Sequence, residues 1–281
     1  MVIGVLPNLD KHGATEIVQK MGKIFVENQI TAYLGENIAV HPDGYLRLSE
    51  EELVKNSDVI ITVGGDGTII RYAKLAALHN KPVLGINAGR LGYLATLEAN
   101  QLHLLKRLFA GNYTVEKRLA LDVSCVENGK QVGAFTALND AVITSGFMSR
   151  LIDIQCFVRG DAISYRADGF IVATPTGSTA YSMSAGGPVV DPTTQCMILT
   201  PICSHSLNAK PIILGADNRI RLKAYSLKRT DIYLSVDGRK SFALRPYTEV
   251  FMTRSKRTVQ LIKLNDRSFY KTLSEKFKGG I

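Results

Sequence analysis

Asp58-Val59-Ile60-Ile61-Thr62-Val63-Gly64-Gly65-Asp66-Gly67-Thr68 joins an almost unbroken apolar run to a glycine-rich turn. The residues that follow, Ile69, Ile70, Tyr72, Ala73 and Leu75, recur at helical spacing. A run that is apolar on both faces suits a strand of a parallel sheet, because helices cover both sides of such a sheet. The stretch therefore reads as buried strand, tight turn and helix, and it predicts an α/β domain.

The same rhythm extends outward. Val2 to Leu6 reads as a strand, and Ile17, Met21, Ile24 and Phe25 mark one side of a helix after it. Ser49 with Glu52 forms a capping-box pattern ahead of Leu53 and Val54. Pro82 to Asn87 reads as a further strand and Glu98 to Phe109 as a helix. From about residue 112 the pattern changes to strand-like segments, Ala120 to Val126, Gly133 to Thr144, Leu151 to Val158 and Phe170 to Thr174, punctuated by Asn128-Gly129 and Asp237-Gly238. The predicted architecture is a Rossmann-like parallel α/β domain over residues 1–111 and a β-rich, sandwich-like domain over 112–261. A C-terminal helix, Ser268 to Lys278 within 262–281, is expected to return to the first domain.

The 281 residues are 46% hydrophobic, enough for two cores of moderate size. No apolar run reaches the roughly 18 to 20 residues that a membrane span needs. The chain opens on a strand-like segment rather than a leader pattern, so a cytoplasmic protein is expected. Cys125, Cys156, Cys196 and Cys203 lack paired spacing and read as reduced, half-buried packing residues. Net charge is +9, and residues 205–281 carry 17 Lys+Arg against 6 Asp+Glu. Such a bias serves nucleic acid, an anionic surface, a merely solvated face or a multiphosphate ligand equally well.

A glycine-rich turn between a strand and a helix directs backbone N–H groups and the helix dipole at an anion, so phosphate fits beside Gly64, Gly65, Gly67 and Thr68. The carboxylate of Asp66 disfavours a neighbouring phosphate unless a proton, hydroxyl or metal recruits it, which points to chemistry. A Walker A loop is excluded by the missing spacing and lysine. The plainer alternative makes Asp66 or Thr68 a helix cap.

Two further segments bear on that choice. Asn139-Asp140 puts an amide and a carboxylate inside the apolar stretch Phe135 to Ile143, a pair able to grip a ribose diol or to end a strand. Residues 168–188 then crowd hydroxyls into one loop after a strand, with Thr176, Thr179, Ser182 and Ser184 as polar lining and Tyr181 able to stack on a base.

Together GGDGT at 64–68, Asn139-Asp140 and TPTGSTAYSMSAGGP at 174–188 closely resemble the NAD kinase family, and the likeness spans nearly the whole chain. Gly85 to Leu94, Thr200 to Leu207 and Ser235 to Gly238 fit it as well. GGDGT by itself also occurs in diacylglycerol-type lipid kinases and, more distantly, in sugar kinases, which form the alternative. A basic nucleic-acid-binding protein is the non-enzymatic one. The resemblance implies ATP-dependent phosphorylation of the adenosine-ribose 2′-hydroxyl of NAD, with Mg²⁺ carried on the ATP.

It further implies that Asp66 acts on that hydroxyl as general base or orienting group, and that Gly64, Gly65, Gly67 and Thr68 approach the ATP phosphates. Asn139 and Asp140 would hold ribose hydroxyls. Asp168, Thr176, Thr179, Ala180, Tyr181, Ser182, Met183, Ser184, Tyr93, Cys203 and Gly238 would line the NAD pocket, with Arg71, Arg150 and Arg166 as the cationic candidates. A homodimer or homotetramer is also implied, with neither nucleic acid nor membrane as partner. The chain departs from the family pattern at Asp140, where glutamate is common, and at Lys210, where arginine is common.

Overall fold

A computed structural model describes residues 1–40, 42–89, 92–146, 151–206, 208–226 and 231–278. The chain forms two compact units, one of Met1–Lys117 with Arg257–Ile281 and one of Arg118–Lys256.

The first unit is built on a sheet in the order Leu46–Leu48, Thr31–Gly35, Val2–Pro7, Val59–Gly64, Val83–Asn87, Val259–Lys263, Thr114–Arg118, with Leu97–Glu98 also paired to Val83–Asn87. The registered pairs are parallel. All six residues of Val59–Gly64 and all five of Val83–Asn87 are buried, as the apolar runs demand. Helix Ala14–Glu27 lays Ile17, Met21 and Phe25 against the sheet. Strand order reverses between Val2–Pro7 and Val59–Gly64, and the crevice at such a reversal is where open α/β sheets bind ligands. The glycine-rich turn leaves the sheet there.

Local signals set the helix ends. Ser49 Oγ accepts from Glu52 N at 3.4 Å and donates to Glu52 Oε2 at 2.8 Å, so Ser49 caps helix Glu50–Asn56, with the Glu52 carboxylate on the Ser49 hydroxyl rather than on its backbone N–H as a full capping box would have it. The stretch read as one helix from Glu98 is a 3₁₀ segment, Ala99–Leu104, followed by the helix Leu105–Phe109. The C-terminal helix Phe269–Lys278 belongs to this unit, with Thr272 buried and Phe269 packed 6.3 Å from Tyr93 between ring centroids.

The second unit is a sandwich of two six-stranded antiparallel sheets. One runs Ile212–Gly215, Cys196–Ile202, Gly169–Ala173, Asp140–Ser145, Ile232–Val236, Arg239–Leu244; the other runs Asp161–Ala167, Ile152–Val158, Ile220–Tyr225, Glu249–Arg254, Leu121–Glu127, Lys130–Ala137. Inward side chains such as Val123, Ile143, Ile154, Phe170, Leu199 and Leu222 form its core. The segment read as continuous from Gly133 to Thr144 is two strands on different sheets, broken at Leu138-Asn139. Apolar patterning does not reveal that break, because both halves bury residues in one core.

Candidate active site

Strand Val59–Gly64 ends against the helix it feeds: a Cβ on Gly64 would lie 2.5 Å from Thr68 Oγ1, so only glycine lets the chain turn here. Gly65 is the N-cap of helix Asp66–Leu78, and no side chain caps it. That corrects the capping alternative for Asp66 and Thr68.

Asp66 instead faces the segment after strand Val83–Asn87. Its Oδ2 accepts the Tyr93 N–H at 2.7 Å and its Oδ1 the Leu94 N–H at 3.1 Å. A carboxylate held by amides in this way is fixed in direction, and each oxygen retains a lone pair for a further donor. Gly92 approaches so closely that an added Cβ would stand 1.9 Å from Asp66 Oδ1. Tyr93 is half-buried; burial first, and the Asp66 charge second, raise its phenol above the ordinary value. The Lys276 ammonium sits 4.9 Å from the centre of its ring.

Arg71, one turn further along the helix, donates to both carboxylate oxygens of Glu50 at 3.2 and 3.3 Å and stacks on Tyr72. At the same end of the sheet, Ala88 N donates to Gly64 O at 3.1 Å. Ala88 lines a cavity of about 440 Å³ together with His12, Gly13, Lys20, Asn87 and Asn100.

In the second unit Asn139 is half-buried and Asp140 is 3% exposed. Burial first, and the nearby Asp237 charge second, push the Asp140 carboxyl up to about 7 from 3.8. Asp237 and Gly238 close the hairpin between Ile232–Val236 and Arg239–Leu244, both with positive φ (52° and 64°). The Asp237 side chain reaches back to residues 138–140. Oδ1 accepts the N–H groups of Leu138, Asn139 and Asp140 at 3.1, 2.7 and 3.3 Å, and Oδ2 accepts that of Leu138 at 3.1 Å.

The hydroxyl-rich stretch forms a 3₁₀ turn, Thr176–Thr179, and the short helix Tyr181–Ser184. Several of its hydroxyls bond within the unit. Thr174 Oγ1 donates to Leu138 O at 2.5 Å, Ser178 Oγ accepts from Val190 N at 3.0 Å, and Ser182 Oγ lies 2.9 Å from Thr200 Oγ1. Thr179, Ala180 and Met183 are half-buried, and Tyr181 and Ser184 are exposed. Arg118, buried at 5% exposure, donates to Thr176 Oγ1 at 3.3 Å.

Asp168 joins strands Asp161–Ala167 and Gly169–Ala173, its N–H donating to Ile202 O at 3.0 Å. Arg166 is exposed and its carbonyl accepts from His205 N at 2.8 Å; Cys203 is exposed with φ of 45°, which corrects its reading as a packing residue, whereas Cys125, Cys156 and Cys196 are buried. Arg150 lies outside the described residues. Among the sequence-expected residues, the first unit gathers Asp66 and Tyr93, and the second gathers Asn139, Asp140, Thr176 and Gly238 around the 138–140 and 174–177 segments. Sequence reading missed the carboxylate contacts of Asp237, the buried Arg118 and the closeness of Gly92. The Asp-Gly turn is the only one of these with a local signal, and that signal speaks of the backbone rather than the side chain.

Comparison with known proteins agrees with this arrangement. A model of the ATP-NAD kinase N-terminal domain matches residues 3–113 and one of the ATP-NAD kinase C-terminal domain matches residues 138–264. The chain is 38% identical to an NAD kinase of Natranaerobius thermophilus over 99% of its own length and 98% of that protein. It is 40% identical to one of Symbiobacterium thermophilum over 87% and 89%. A crystal structure of an NAD kinase from Archaeoglobus fulgidus in complex with ATP covers 99% of both chains at a TM-score of 0.76 and 28% identity. Yeast NADH kinase complexed with NADH shares the fold at a TM-score of 0.87 and 23% identity, covering 99% of this chain and 87% of that one. The chain belongs to the ATP-NAD kinase family.

Proposed function

We infer that the chain is an NAD kinase, a phosphotransferase that moves the terminal phosphoryl group of ATP to the 2′-hydroxyl of the adenosine ribose of NAD and forms NADP. The carrying observation is the Asp66 carboxylate, set at the end of a buried strand and aimed by the amides of Tyr93 and Leu94. The match of residues 138–264 to the C-terminal domain favours this reading over the lipid- or sugar-kinase alternative that the GGDGT turn alone allows.

Phosphoryl transfer asks the protein to position reactants and to neutralise charge on the transferring oxygens. Asp66 orients the ribose hydroxyl and accepts its proton as the new O–P bond forms and the bond from the γ-phosphorus to the bridging oxygen breaks, releasing ADP, a contribution typically worth about 10² to 10⁴-fold. The backbone at Gly65 and Gly67, with the positive end of helix Asp66–Leu78, attracts the donor phosphates, while the Thr68 N–H is given to Gly65 O at 2.9 Å. The cavity beside Ala88 has room for the donor's nucleoside. Asn139 and Asp140 hold ribose hydroxyls of NAD, and the segment from Thr176 to Ser184 lines its pocket, with exposed Tyr181 offering a ring to stack on.

Among the described residues no group of His, Cys, Asp and Glu could by itself hold a metal. A divalent cation such as Mg²⁺, carried on the triphosphate as phosphoryl-transfer chemistry generally requires, would supply charge neutralisation there. The reading places the protein in the cytoplasm as a homo-oligomer. Incubating the purified chain with NAD, ATP and Mg²⁺ tests it: NADP is the expected product, and phosphorylation of a lipid in its place would overturn the assignment.

A further inference from the structure

Leu138-Asn139-Asp140 is held from three directions. Its three N–H groups converge on the Asp237 carboxylate. Its carbonyls at 138 and 139 accept from Thr174, from Oγ1 at 2.5 Å and from N at 2.8 Å. Gly177 lies against it so tightly that a Cβ there would meet Asn139 O at 2.0 Å. Successive amides in this arrangement form a nest that ordinarily takes up an anion, and here the anion is a side chain from a distant hairpin.

We propose that Asp237 is a positioning residue for NAD, fixing through its side chain the backbone from which Asn139 and Asp140 reach the ribose. The inference rests on the reading of those two residues as the ribose grip. It assigns Asp237 a task that turn chemistry does not need. The hairpin requires only a residue tolerant of positive φ at 237, and asparagine meets that requirement as well as aspartate. An asparagine side chain, however, has one oxygen, no charge and a donor N–H₂ in place of the second oxygen. Asp237→Asn thus spares the turn and weakens the clamp.

The test measures steady-state kinetics of Asp237→Asn and Asn139→Ala beside wild type, with hydrogen exchange followed on peptides spanning residues 135–144 and 231–245. For Asp237→Asn the expectation is a KM for NAD raised about 10-fold to 10²-fold with KM for ATP within about twofold, the scale of loss that misplaced binding groups cause. Exchange should quicken at 138–140 while the hairpin peptide stays protected. An unchanged KM for NAD in Asp237→Asn, with a raised one in Asn139→Ala, overturns the positioning role alone. An unchanged value in Asn139→Ala removes the ribose reading and this inference with it. Equal loss of protection in both peptides marks Asp237 as a turn residue only and overturns the inference even where activity is lost.

Discussion

Gly92 and Asp66 are packed so that a single methyl group at 92 would reach within 1.9 Å of Asp66 Oδ1. The nearest neighbours of that methyl all belong to the carboxylate, so Gly92→Ala displaces the acid without removing it. We expect kcat to fall by about 10²-fold, the loss associated with misplacement of a reacting group by about 1 Å. Thermal melting should shift by only a few degrees. Normal turnover in a variant shown to fold would mean that the position of Asp66 does not matter.

Removing the charge is the complementary change. Asp66→Asn should cut kcat by about 10² to 10⁴-fold, the usual worth of a general base. The amide cannot accept at both positions now served by Tyr93 N and Leu94 N, so a modest loss of stability is also expected. KM for NAD should change little. Retained kcat, measured in the same preparation by NADP formation, would remove Asp66 from the chemistry.

Much of the fold was legible where its physics is local. The unbroken apolar run ending at Gly64, the Ser49 helix cap and the Asp237-Gly238 turn each encode their structure within a few residues, and each is seen. The break at Leu138-Asn139 was not legible, since two strands that share one core carry the same apolar pattern as a single long one. The hydroxyl-crowded stretch 168–188 read as pocket lining, yet its Thr174, Ser178 and Ser182 hydroxyls bond to Leu138, Val190 and Thr200. Partners so far apart in sequence leave no periodic trace. The same is true of Asp66, whose place just past the buried strand showed in the motif while its orienting amides at 93 and 94 did not.

Asp140 gives the fold a pH dependence of definite sign. Its carboxyl titrates at about 7 in the folded chain against 3.8 as the ordinary value, raised first by burial and then by Asp237. Over that interval the folded state binds a proton that the unfolded state releases, so stability declines as pH rises from about 4 and levels off above about 7. At about 1.4 kcal/mol per unit, the effect is a few kcal/mol. Urea unfolding at about pH 5 and pH 8 should show this slope in wild type and a flatter one in Asp140→Asn. Identical slopes in both proteins would contradict the cause assigned to it.

Divalent metal should be needed for turnover and not for the fold. With the cation carried on the triphosphate as proposed, chelation with EDTA is expected to abolish NADP formation while leaving the melting temperature of the nucleotide-free chain unchanged. Restoration by Mg²⁺ completes the check; a large fall in melting temperature on chelation would instead reveal a metal held by the protein.

The central claim, that Asp66 acts on the ribose hydroxyl receiving phosphate, is tested most directly by a crystal structure with NAD and a non-hydrolysable ATP analogue bound together. The account predicts an Asp66 carboxylate oxygen at hydrogen-bonding distance, about 2.6–3.2 Å, from the adenosine-ribose 2′-oxygen. A separation too long for a direct or single-water contact, with another side chain in that place, would contradict it.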